Sequence, residues 1–226
     1  MKSLILSIVI STSILGFHSP AVGQTSEFDF QHQVKMDMGV YKKDELKNSM
    51  DYTFLFPKTG NYFGVEMEMQ EAGMKVKSIF DYDGMTMTTL MDHPSMKMGS
   101  QYDLSKLMET ATSAESNGGE MKKTGKTKSI LGYTCHEYVM TTEDGGYAEV
   151  WITNDLDFEN VYQAFAAMNK KQKQLNMDMP NGFFMELTSW PDGKIGKDKI
   201  TMTVKEVNLN QPTSISTNGY SIMKLN

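Results

Sequence analysis

Arginine is missing from this chain: all 22 of its basic residues are lysines, set against 28 acidic ones. Without the planar guanidinium fork, and with a formal charge of -6, the chain lacks the usual equipment for gripping phosphate backbones, so no nucleic acid is expected as a partner. Cysteine is reduced to Cys135 alone, which excludes an intrachain disulfide. A cysteine this isolated reads as a small, half-buried strand residue. His136 beside it points to the other face of a strand, so the two form no dyad. The four histidines are scattered. No HExxH, CxxC, GxSxG or GxGxxG pattern occurs, and no Gly-rich phosphate loop follows a strand. The chain is therefore not expected to be an enzyme, and no cofactor is expected. Carboxylates such as Glu66 and Glu68, or Glu143 and Asp144, fall at outward strand positions or in turns, where solvated charge is the ordinary state. Long apolar runs are also lacking beyond the first residues, so no transmembrane segment is expected in the mature chain.

Those first residues read as a secretory signal. Lys2 is the positive region, Leu4 to Phe17 is the apolar run, and Ala21-Val22-Gly23 is a small-x-small cleavage site. The run is too short to span a bilayer. The expected division is a signal peptide over 1–23 and one domain over 24–226, in a periplasmic or secreted protein.

What is present is strand-like alternation. Phe28, Phe30, His32, Val34, Met36 and Met38 line one face of a long first strand. Met50 to Phe56, Phe63 to Met69, Met74 to Tyr82, and Met85 to Met91 follow as a meander with short turns. His93-Pro94 breaks the run. A short helix is expected from Leu104 to Thr112, capped by Asp103, and a second from about Glu159 to Leu175. Ala114 to Lys126 reads as a polar loop whose lysines, with Lys128, are solvated. Strands return at Phe183 to Trp190 and Lys199 to Val207, and Ser214 to Leu225 adds an edge. The expected fold is mainly β (α+β). It is a curled antiparallel sheet or half-open β-barrel of about eight to ten strands, with two helices on the concave face.

The most sheet-like stretch is Gly125 to Leu156, GKTKSILGYTCHEYVMTTEDGGYAEVWITNDL. Thr134 to Thr141 and Tyr147 to Thr153 are rich in β-branched and aromatic residues, with Glu143 to Gly146 as the turn. Trp151 is expected to be buried. From Lys126 to Leu156 the pattern resembles a family of small secreted Gram-negative proteins known only as a domain of unknown function. That family is similar in fold to the periplasmic lipoprotein-sorting carriers. The resemblance implies a half-open barrel closed by helices and a compartment outside the cytoplasm. It carries over no catalytic residue.

Methionine is over-represented, with 21 in the chain. Many fall as Met-x-Met, which puts both thioethers on one face of a strand. Three readings stand. One is a closed core that uses methionine as filler in a structural or interaction protein. Another is an adaptable cavity for an apolar small molecule, lipid or lipidated partner, lined by Met36, Met38, Val65, Met67, Met69, Met85 and Met87, with Phe165 and Met168 on a helical lid. The last is a soft-metal (copper) site at His93, Met96 and Met98. The residues alone suit the closed core at least as well; the resemblance to the lipoprotein-sorting carriers is what points to the cavity, and the ligand and the oligomeric state stay open.

Overall fold

The computed structural model describes residues 27–69, 73–93, 95–106, 119–142, 145–156, 158, 180, 182–191 and 193–225. Fourteen strands occur among them. They are β1 (Glu27–Phe30), β2 (His32–Lys42), β3 (Glu45–Phe56), β4 (Tyr62–Met69), β5 (Met74–Asp81), β6 (Thr86–His93) and β7 (Met96–Asp103). After a helical turn at 104–106 come β8 (Gly119–Ile130), β9 (Tyr133–Thr142), β10 (Tyr147–Thr153), β11 (Phe183–Trp190), β12 (Lys199–Asn208), β13 (Thr213–Ser216) and β14 (Ser221–Leu225).

Twelve strands make one sheet, in the order β14-β7-β6-β5-β4-β3-β2-β12-β11-β10-β9-β8. It is two meanders, β2 to β7 and β8 to β12, sewn together where β2 pairs with β12. Every pairing in it is antiparallel except β14 against β7. The sheet curls without closing into a barrel. Phe56 on β3 and Phe183 on β11 are three strand spacings apart, about 14 Å on a flat sheet. Their ring centroids nevertheless lie 5.8 Å apart, so the sheet bends toward the face that carries them.

That concave face holds the main core: Val34, Met36, Phe56, Phe63, Cys135, Phe183, Met185 and Val204 among others. The opposite face holds a smaller core, in which β1 and β13 form a separate two-stranded ribbon. There Phe30 and Ile215 pack on Leu55, Ile79 and Leu90. Gly64 on β4 makes this docking fit, since a Cβ at that position would stand 2.9 Å from the Phe30 ring.

Several expectations need correction. The first strand is not continuous from Phe28 to Met38. It breaks at Gln31, whose N–H bonds Phe56 O at 2.8 Å, and the chain changes layers there. Phe28 and Phe30 consequently join the opposite core from Val34 and Met36. The strand count exceeds eight to ten because two stretches read as turn or loop pair as strands, β7 with β6 and β8 with β9. Among the described residues one short helix is found, not two on the concave face. It starts at Leu104, and Asp103 Oδ1 accepts from Ser105 N at 2.8 Å, as a cap should. The second expected helix falls outside the described residues. Phe158 packs into the curl, stacked on Phe56 with centroids 4.4 Å apart and edge-on to Phe183 at 5.1 Å. No helix among the described residues is long and apolar enough to cross a membrane.

Candidate functional site

Register assembles the concave face row by row, because directly opposed residues of antiparallel strands share a face. One row runs unbroken across six strands: Met36, Tyr52, Met67, Val76, Met91 and Met98. Its span is about 24 Å at the usual strand spacing. A second row, Met202, Met38 and Met50, flanks it. On the other side, Phe54 faces Val65 and Val65 faces Ser78. Among the described residues, from Asn48 on β3 through β7 this face carries no lysine, aspartate or glutamate. The charges of these strands sit on the other face, where Lys77 pairs with Glu66 at 3.6 Å and Lys97 with Asp92 at 3.9 Å.

Burial divides the face into two ends. At one end the aromatic cluster is closed: Phe63 stacks on Phe80 at 4.5 Å, and Phe56, Phe158 and Phe183 interlock. Burial there pushes the Tyr82 hydroxyl up to about 12. At the other end the methionines emerge. Met36 is 1% exposed and Met98 38%, while Met38, Met50, Tyr52, Met67, Val76 and Met91 are half-buried.

Most of the expected cavity residues fall here. Met36, Met38, Val65, Met67 and Met87 share the face. Met69 ends β4 in register with Met74. Met85 is a turn residue with positive φ, packed against the main core. Phe165 and Met168 lie outside the described residues. Tyr52, Met50, Val76, Met91 and Met202 belong to the same surface, and alternation alone did not single them out. Membership depends on which strand lies alongside, which alternation within one strand does not show.

The groups of the kind that carry covalent chemistry are placed otherwise. Cys135 is 0% exposed, and burial raises its thiol pKa, so the nucleophilic thiolate is suppressed. Glu137 is buried too. Burial alone would raise its pKa, but Thr124 Oγ1 donating at 2.6 Å and Lys126 Nζ at 3.0 Å outweigh that and hold the carboxyl below its ordinary range. Trp151, expected to be buried, is half-buried under Lys128, whose Nζ sits 4.2 Å from the ring centre and 2.8 Å from Glu186. His32 has its pKa lowered by burial and accepts from Asn210 N at 3.3 Å. A hollow of about 440 Å³ lies on the other side, between the β1–β13 ribbon and the loop at Lys58 and Thr59. It is open and lined by polar groups such as Asp29, Gln31 and Ser214, unlike the methionine face.

Residues 31–213 match a family described as a domain of unknown function (DUF4412). No curated protein matches the sequence. Among solved structures, PNGF-II is similar at 13% identity and a TM-score of 0.41, covering 87% of this chain. This chain spans only 31% of PNGF-II. A LolA superfamily protein from Nitrosomonas europaea is similar at 9% identity and a TM-score of 0.31, with 80% of this chain and 86% of that one covered. A DUF1329 family protein from Desulfovibrio piger stands at 8%, 0.32, 81% and 86%. The two kinds of relative implied by the Gly125 to Leu156 pattern are thus both among the matches. None of them assigns a site residue to this chain.

Proposed function

The chain belongs to this DUF4412 family, and we propose that it is a non-catalytic binding protein for an apolar ligand, the acyl portion of a lipid or of a lipidated partner. The methionine row across β2 to β7 carries this reading. It is a charge-free surface of flexible, polarizable side chains, closed at the aromatic end and open at the other. Thioether side chains re-pack around chains of differing shape. Seating ten methylenes there would contribute on the order of 8 kcal/mol before the costs of binding. The signal-like first residues support a periplasmic or secreted setting for such a carrier.

A fluorescent fatty acid titrated into the protein tests it. The wild type should bind saturably, and Met67→Trp should lose the probe while its unfolding midpoint holds, since Met67 is half-buried and the larger ring has room. The opposite pattern is a wild type with no saturable binding and a Met67→Trp destabilised by ~1–3 kcal/mol from overpacking. That pattern would identify a closed core and remove the carrier reading.

A further inference from the structure

The β6–β7 hairpin places a second chemistry on this face. Met91 is paired with Met98, and His93 with Met96. Met91 and His93 are two residues apart on β6, as are Met96 and Met98 on β7. All four therefore stand on the side that carries Met87 and the main core. Opposed Cβ atoms lie about 5 Å apart, and neighbours two residues apart along a strand about 7 Å. Three thioethers and one imidazole thus mark the corners of a small rectangle, and unbranched methionine arms can bring sulfur to its centre.

Three further observations favour a ligand at this spot over core packing. Buried methionines such as Met185 are 0% exposed, whereas Met96 is 53% exposed, with His93 exposed beside it. The His93 ring is oriented by its neighbour: Nδ1 lies 2.8 Å from Ser95 Oγ, and Ser95 N donates to it at 3.3 Å. Ligation through Nε2 takes the tautomer in which Nδ1–H donates to Ser95 Oγ, so that bond orients the ring and the longer contact from Ser95 N is given up on binding. Among the described residues no carboxylate joins the set, since Asp92 faces away and pairs with Lys97. Neutral sulfur and nitrogen donors without carboxylate or thiolate suit a soft monovalent ion and not zinc, calcium or magnesium.

We propose that Met91, His93, Met96 and Met98 form a Cu(I) site on the β6–β7 hairpin. It stands independently of the acyl-binding reading, and Met67→Trp should leave it intact. The full-length protein, titrated with Cu(I) under anaerobic conditions against a chromophoric Cu(I) chelator, should hold one ion per chain. Met96→Leu with Met98→Leu preserves volume and apolarity. Losing two ligands should weaken binding by more than the ~10–100-fold typical of a lost outer-shell partner. Ag(I) added to wild-type protein labelled at the methionine methyls gives a test that no variant can confound by misfolding. The methyls of Met91, Met96 and Met98 should shift first, with those of Met36 and Met185 unmoved. Equal Cu(I) affinity in the wild type and the double variant, or Ag(I) shifts centred on other methionines, would overturn the site.

Discussion

Glu137 shows how much one residue's state depends on a strand that composition disguises. Its carboxylate is 3% exposed, and both of its side-chain partners come from an irregularity in β8 between Lys123 and Thr127. There Gly125 takes positive φ and the extra residues fold over the neighbouring strand. Because the folded pKa lies below the ordinary 4.5, the contribution to stability is complete above that value and is lost as pH falls through the folded one. Glu137→Gln should therefore cost about 1–3 kcal/mol near neutrality, chiefly because the bond from Thr124 loses its charge assistance and a buried amide N–H₂ is left to be satisfied. Urea unfolding should show the gap between variant and wild type narrowing below pH 4.5. Nothing in the sequence around Glu137 marks it for burial, whereas Met36 and Met67 are legible from their spacing. A period of two reveals a shared face, but a buried charge is visible only once its partners on the next strand are known.

At the level of elements, legibility followed turn chemistry. The β9–β10 hairpin and the Asp83-Gly84 turn are found where the sequence puts them, the latter held by Asp81 Oδ1 accepting from both backbone N–H groups at 3.1 and 3.0 Å. Strand β8 was hidden because Lys122, Lys123, Lys126 and Lys128 make it look like a solvated loop. Edge strands are commonly charged in this way, which blunts further pairing. The turn from β8 to β9 is also disguised. Leu131 and Gly132 both take positive φ, 52° and 88°, the pattern of a two-residue type I′ hairpin. Leucine is a poor occupant of that conformation and here it is half exposed, so it contributes little packing. Leu131→Asn should stabilise the protein by about 1 kcal/mol, seen as a raised thermal midpoint.

For the whole molecule, the open sheet leaves two edges, and they are defended unequally. β8 carries its lysines, whereas β14 presents Ile222, Met223 and Leu225 to solvent. β14 lies parallel on β7, and Ile222 packs near Gly99. Deleting residues 221–225 would bare the backbone of β7 beside the methionine face. Light scattering should then show more self-association than the intact chain does. The seam between β2 and β12 has a consequence in time. Residues 32–103 make a complete meander from sequential contacts, and it lies wholly N-terminal to the strand that joins it to the other half. Until residues 199–208 arrive to cover β2, that first half has one edge of β2 unpaired. A chain that emerges N-terminus first is therefore most in need of a chaperone in the interval between the delivery of β7 and that of β12.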